Sequence, residues 1–360
     1  MSLSNPATVS TTIPPHLAAD GDALARDYAA LTRAAGVATL ADRLIVRITG
    51  DDRAPFMHGM CSNEVAGLKP GALEPALILT EHAHLIAELY LYATADALLL
   101  EVDRGRWPAT RAHIEKFLVA DDVEIEERDD LGLIEVIGPA AGAAIASLTD
   151  SAAGALAPWR HVEFDMLHGA AIDELRVANL PRIGAPAFTL IAARDRLPAL
   201  VAELCARNQA LGVREIGRND NYRGSSGARE IIRVENGIAR VGADTTDKTI
   251  ALEARLNGAI SFTKGCYLGQ ETIERATARG GLKKRLFGLR IDGAAGPAAG
   301  SAIRLDGKEI GRLGSIVGSP RAGILGLAIL HHSAWSPGTR VTIDAESGAI
   351  GAAVSELPFG

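Results

Sequence analysis

The sequence predicts an α+β protein of several domains, and three observations carry that reading. Its 360 residues exceed what one hydrophobic core ordinarily serves. Strand-like alternation and helical spacing interleave through residues 22–211. After residue 286, short apolar runs alternate with Gly-rich turns at even spacing, which argues a small antiparallel barrel or sandwich.

Residues 22–35 have helical spacing, and 43–48 alternate as a strand until Gly50 breaks it. Asp51 and Asp52 stand where a helix N-cap belongs, ahead of a helix over 53–60 that ends at Cys61-Ser62-Asn63. Residues 77–80 and 85–92 read as a hairpin, 97–102 as a third strand and 108–117 as a helix. A second unit begins near residue 131 with a strand over 133–137, and the Gly138-Pro139 break leads into an Ala-rich helix over 140–148. Strands at 160–166, 173–177 and 188–192 follow, then a helix over 197–211 that stops at Gly212. Residues 228–235 form a short helix, and the last unit follows the basic run Lys283-Lys284-Arg285 with strands at 286–291, 302–305, 309–317, 325–329 and 339–343. Gly293 to Gly300 read as a loop, because those glycines precede no helix.

Composition excludes several classes. Apolar residues at 48% with 22% charged are ordinary for a soluble globular chain. A net charge of -7 argues against general affinity for DNA or anionic membranes, which rests on a field of Lys and Arg. Residues 1–19 lack the basic start and apolar block of a secretory signal, and no run of 18 apolar residues occurs. Cys61, Cys205 and Cys266 are odd in number and far apart, which suits a reducing cytosol better than a disulfide framework. A cytoplasmic location and a monomer are expected. His82, His84 and Glu88 share one face of a strand, but no further ligand stands at a recognisable spacing, so no metal is expected.

Residues 236–289 pack Gly, charged and amide residues too densely for a plain helix or strand. In Lys264-Gly265-Cys266-Tyr267-Leu268-Gly269-Gln270-Glu271, two glycines flank a thiol and Lys264 supplies a cation close to it in sequence. A cation beside a cysteine favours the thiolate, the reactive form. Gln270 and Glu271 add an amide and a carboxylate suited to the donor and acceptor edge of a polar heterocycle such as a pterin. Cys266 read blandly is a small buried residue, and Lys264 a surface cation.

This octapeptide resembles the signature of the YgfZ-type folate-binding proteins, relatives of the aminomethyltransferase of glycine cleavage. Residues 233–244, running Arg-Val-Glu-Asn-Gly-Ile-Ala-Arg-Val-Gly-Ala-Asp, resemble the family's R-x-E-x-G-I-x-R-x-G-x-D segment. Residues 56–65, from Phe56 through Asn63 to Val65, are similar to the F-L-x-G-x-x-T-N-D-V element shared with aminomethyltransferases. Arg275, residues 279–281 and Lys284-Arg285 resemble the family's basic exit.

The resemblance implies a three-domain aminomethyltransferase-like ring around tetrahydrofolate, ending in an antiparallel β-barrel. Behind a flexible tail at 1–23, residues 24–130 with 215–282 form the folate-binding domain, 131–214 an α/β domain and 283–360 the barrel. It implies catalytic roles for Cys266 and Lys264, and folate contacts from Asn63, Glu88, Arg233, Glu235, Tyr267, Gln270, Glu271 and Arg275. Family members support iron–sulfur cluster assembly or repair and tRNA modification, so iron–sulfur enzymes or assembly proteins are implied partners, without strong nucleic-acid binding. Two departures bear on activity. Of the acidic pair on the strand after 81–84, this chain keeps Glu88. Where aminomethyltransferases carry G-E-x-G-[FY]-E it has Gly184-Ala185-Pro186-Ala187-Phe188-Thr189, without either glutamate. The alternatives are a true aminomethyltransferase passing a one-carbon unit to tetrahydrofolate, and a thiol or scaffold protein that uses no folate.

Overall fold

The computed structural model describes residues 21–360 except 218–226, 279–280, 294–295 and 347. The tail expected at 1–23 falls outside them through residue 20, and helix α1 (Gly21–Arg33) is already formed at its far end. No helix among the described residues is long and apolar enough to cross a membrane.

Two sheets and a barrel organise the chain. The first sheet joins β1 (Gly36–Thr39), β7 (Leu131–Ile137), β8 (Arg160–Leu167), β9 (Ala170–Asn179), β10 (Ala187–Ala193) and β11 (Arg214–Glu215) in the order β11-β1-β7-β10-β9-β8. Its β1–β11 pair is parallel, with Gly36 opposite Arg214, so a strand from near residue 36 is held by chain laid down far later. The second sheet orders β3 (Leu73–Leu79), β4 (Leu85–Ala93), β5 (Leu98–Asp103), β2 (Arg43–Thr49) and β6 (Glu124–Arg128) antiparallel.

Strand alternation explains how these sheets stack, because successive side chains leave opposite faces. On β4, Ala87, Leu89 and Leu91 pack with Phe56 and Met57 of α2 (Arg53–Met60) and Trp107 and Ile114 of α3 (Trp107–Glu115). Tyr90 and Tyr92, on the other face, pack with Leu131, Leu133 and Ile191 of the first sheet. The outer face of that first sheet is covered by α4 (Ala141–Thr149) and α5 (Leu197–Arg207), through Ile145, Leu148, Leu200 and Leu204. The result is four layers, helices outside and two sheets within. The helix expected over 197–211 ends at Arg207, where Asn208 donates back to the Leu204 carbonyl and a 3₁₀ turn carries the chain to Gly212 at φ 73°.

Helix α6 (Ala228–Glu235) spans the residues its sequence predicts. Gly227 precedes it and Gly237, at φ 68°, ends it in a conformation that glycine adopts without strain. Ile231 and Val234 sit in a core shared with Leu24 and Leu31 of α1 and Leu286, Leu325 and Leu327 of the last unit. Helix α7 (Gln270–Ala278) replaces the irregular segment that the density of glycine and charge suggested.

The last unit is a closed six-stranded antiparallel barrel: β12 (Lys284–Ile291), β15 (Gly323–His331), β14 (Lys308–Ser319), β13 (Ala302–Leu305), β16 (Arg340–Ala345) and β17 (Gly348–Ser355). Closure resolves the barrel-or-sandwich alternative, and β17 pairing back on β12 removes the last open edge. The loop expected at Gly293–Gly300 lies partly outside the described residues.

Candidate functional site

Between the second sheet and α6 lies a cavity lined by Glu88 and Tyr90 of β4, Arg43, Asp103, Arg106, Arg182 and Ile183, and by Arg229, Arg233 and residues 238–241. Glu88 and Tyr90 reach it because both leave the inner face of β4, and Arg229 and Arg233 because they stand one helical turn apart on α6. Glu88 is half-buried. Desolvation pushes its carboxyl pKa up, opposed by the Arg43 and Arg182 charges and the nearby Tyr90 hydroxyl. Tyr90 is itself packed between guanidiniums, with Arg43 Cζ 5.5 Å and Arg182 Cζ 5.0 Å from its ring centre.

A buried ladder of charges backs this cavity and joins the two sheets to α6. Glu101 of β5 accepts from Arg43 Nε at 2.8 Å, Tyr92 Oη at 2.8 Å and Arg182 Nη2 at 3.0 Å, and takes a further bond from Arg182 Nη1. Burial opposes its ionisation, yet Arg182 and Arg43 hold its pKa down at about 2. Arg182 Nε lies 3.0 Å from Glu135 Oε1 on β7, and Glu135 Oε2 accepts from Arg229 Nε at 2.5 Å. Arg182 Nη2 also donates to Thr189 Oγ1 at 2.7 Å, and Thr189 stands directly opposite Glu135 in the β7–β10 register. The carboxylate missing at residue 189 therefore has a counterpart on the adjacent strand, engaged by two arginines. Sequence reading missed Glu101, Glu135 and Arg182, although a lone acid within Leu98-Leu99-Leu100-Glu101-Val102 was a usable signal.

Of the residues singled out from sequence, Glu88 and Arg233 line the cavity, and no residue of 264–271 does. Arg233 is heavily committed. Its Nε donates to Glu230 Oε2 at 2.9 Å, its Nη1 to Asp244 Oδ2 at 2.9 Å and to the Ile238 carbonyl, and its Nη2 to Glu230 Oε1 at 2.6 Å and to Ser315 Oγ of the barrel at 2.5 Å. It clasps α6 to the loop that follows and to β14. Glu235 points elsewhere, accepting from Tyr28 Oη at 2.9 Å and Ser319 Oγ at 2.5 Å, with Arg321 Nε at 3.1 Å. Asn63 is a loop pin: its Nδ2 donates to the Pro75 carbonyl at 2.8 Å, and its Oδ1 accepts the Glu64 N–H at 2.9 Å.

The Cys266 loop runs beside the β3 edge of the second sheet, against the end of α2, with Tyr267 packed in the core that holds Leu77 and Leu79. There Lys264 Nζ donates to the carbonyls of Cys61 and Asn63, both at 2.9 Å, and to that of His58, satisfying groups that a helix end leaves open. Burial lowers the Lys264 pKa, and the thiol that acts on it is Cys61 rather than Cys266. The expectation that sequence neighbourhood sets Lys264 to work on Cys266 is corrected by this geometry, since the three ammonium donors are taken up by backbone. Tyr267 is buried 5.1 Å from Lys264 Nζ, its pKa pushed up to about 12 by desolvation. Gly269, at φ 88°, lets the loop close on the β3–β4 turn, where a Cβ would come within 2.7 Å of the Thr80 carbonyl oxygen. Gln270 Nε2 donates to Glu274 at 2.9 Å, and Glu271 pairs with Arg275 on the exposed face of α7.

The three thiols should differ sharply in reactivity. Cys266 is exposed, Cys205 half-buried with its pKa raised by desolvation, and Cys61 fully buried with its pKa pushed up to about 11 by burial. Alkylation of the native protein at pH 8 followed by peptide mass analysis is expected to label Cys266 first and leave Cys61 unmodified until unfolding. Labelling of Cys61 at a rate near that of Cys266 would contradict the burial described.

The GCVT N-terminal domain family matches residues 15–264, more than half of the chain. The chain belongs to this family. The glycine cleavage T-protein C-terminal barrel domain matches residues 284–359, the segment that closes as the barrel. Among GCVT relatives, a chloroplastic transferase of Arabidopsis thaliana is 29% identical over 319 residues, 87% of this chain and 68% of its own length. The aminomethyltransferase of Bacillus subtilis is 22% identical over 337 residues, covering 93% of this chain and 90% of the relative. The crystal structure of glycine cleavage system aminomethyltransferase T from Bartonella henselae superposes with a TM-score of 0.79 at 20% identity, covering 94% of this chain and 89% of that one. The GCVT fold, mixed α+β with a closed C-terminal barrel, is thus shared over nearly the whole chain, and the chain is aminomethyltransferase-like.

Proposed function

We propose that this chain binds tetrahydrofolate in the cavity around Glu88 and acts as a YgfZ-type accessory protein, supporting iron–sulfur cluster assembly or repair and tRNA modification. The observation that carries the reading is Glu88 itself, a half-buried carboxylate lining a cavity together with Tyr90. A reduced pterin presents adjacent N–H donors on one edge, which an ionised carboxylate accepts as a charge-assisted pair. The donor set therefore fits the group: Glu88 takes the pterin edge, Tyr90 lines the cavity beside it, and Arg43 and Arg182 favour its ionised form. Bound there, tetrahydrofolate supplies a carrier for one-carbon units.

Glycine cleavage itself is not the proposed activity. Ala185 and Thr189 stand where aminomethyltransferases carry glutamates, and the carboxylate opposite Thr189, Glu135, is engaged by Arg182 and Arg229. Cys266, exposed and not among the residues that line this cavity, is available to a client protein rather than to the pterin.

Calorimetric titration with tetrahydrofolate is expected to show one site. Mixing the protein with the remaining glycine-cleavage components should release no ammonia above background. Absence of binding removes the folate reading, and methylene-tetrahydrofolate formation with ammonia release replaces it with a transferase.

A further inference from the structure

Among the described residues, one arginine of the cavity meets no carboxylate. Arg43 pairs with Glu101, Arg182 with Glu101 and Glu135, Arg229 with Glu135, Arg233 with Glu230 and Asp244, and Arg240 with Glu230. Arg106 makes no ion pair among the described residues. Among the described residues its guanidinium makes one hydrogen bond, a long one of 3.4 Å from Nη1 to the Ile86 carbonyl. Asp103, the acid nearest along the chain, accepts the Arg106 backbone N–H at 3.1 Å. A guanidinium offers five donors in a planar fork, and Arg106 lines the cavity with one of them in a hydrogen bond.

Gly242, in the Arg240-Val241-Gly242-Ala243-Asp244 segment, has φ 89°, and a Cβ built there would come 2.6 Å from Arg106 Cζ and 2.9 Å from its Nε. The Arg106 side chain thus lies flat on the bare Cα of Gly242, in space that any larger residue would fill. Ile86, whose carbonyl it touches, stands two residues before Glu88 on the same face of β4. The cation and the Glu88 carboxylate line the same cavity.

We propose that Arg106 recognises an oxyanion on the ligand of this cavity, and that Gly242 is glycine so that the guanidinium can reach it. The inference rests on the cavity reading above and adds a second chemical demand: the occupant brings an acid group as well as a donor edge. That acid has two possible sources, the glutamyl carboxylate of the folate or a separate small anion bound beside the pterin.

Calorimetry on the intact protein separates these with four probes: tetrahydrofolate, 6-methyltetrahydropterin without an acid group, p-aminobenzoylglutamate without a pterin, and inorganic phosphate. The Arg106→Ala variant is expected to lose about tenfold or more in affinity for acid-bearing probes, the scale of a hydrogen bond to a charged group, and to bind 6-methyltetrahydropterin as before. Gly242→Ala should reproduce that loss without any change of charge, and Arg106→Lys should recover part of it. Loss for tetrahydrofolate and p-aminobenzoylglutamate assigns the anion to the folate tail, and loss for phosphate alone assigns it to a separate acid. If the wild type binds phosphate or p-aminobenzoylglutamate through Arg106 but no pterin, the folate reading fails and Arg106 stands. If the wild type binds none of the acid-bearing probes, or Arg106→Ala and Gly242→Ala bind all of them like wild type, or the tail-less pterin is lost equally, the proposal is overturned.

Discussion

Replacing Glu135 by alanine is expected to destabilise the protein by about 3–5 kcal/mol, the usual cost of removing one partner of a buried ion pair. Glu135 is fully buried and faces both Arg182 and Arg229, which the change would leave without that counter-charge. Because Arg182 also bridges to Glu101 across the sheet interface, the effect should reach both sheets and show as one cooperative loss in urea unfolding. A Glu135→Gln variant keeps the shape and one acceptor, and should fall between. A loss below about 1 kcal/mol for alanine would mean that the ladder is not the interface clamp described here.

Replacing Glu88 by glutamine should leave the fold intact and weaken tetrahydrofolate binding by about 10–100-fold, since it exchanges an ionised acceptor for an amide. The pH dependence provides an independent reading. Burial raises the Glu88 pKa above its ordinary value of 4.5, so the folded protein holds this proton to higher pH than the unfolded chain does. Its contribution to stability consequently falls as pH rises from the ordinary value through the raised one. Folate affinity should move oppositely, increasing across the same interval as the carboxylate ionises, and that slope should vanish in Glu88→Gln. Equal affinity of variant and wild type at pH 8, measured by calorimetry, would remove Glu88 from the site.

The fold was legible where patterning was strong. Helix α6 reads from its bracketing Gly227 and Gly237, and the barrel from its evenly spaced apolar runs. Strand β1 was missed because four residues give too little alternation, and β17 because Gly and Ala dominate Gly348–Ser355. Helix α7 was missed because it is short and mostly polar, with Ile273 the one fully buried apolar residue among its described side chains. At the site, Glu88 was singled out through the resemblance to the acidic pair of aminomethyltransferases, but its surroundings were not legible. Lys264 is two residues from Cys266 in sequence, yet its ammonium turns to the carbonyls of His58, Cys61 and Asn63, a preference set by the open end of α2. The Glu101–Arg182–Glu135 ladder depends on which strands lie face to face, and nothing local encodes that.

The Lys264 clasp has a consequence for biosynthesis. It ties residue 264 to carbonyls some two hundred positions earlier, and beside it the Ser261 N–H donates to the Ser62 carbonyl at 2.9 Å. The same lateness recurs where β11 completes the sheet edge at β1 and where α6 packs on α1. During translation the amino-terminal third therefore emerges with its α2 terminus uncapped and its sheet edge bare, and waits for roughly two hundred further residues. Nascent chains arrested before residue 264 should be protease-sensitive around Cys61 and dependent on chaperones, and should become resistant once that lysine has cleared the ribosome.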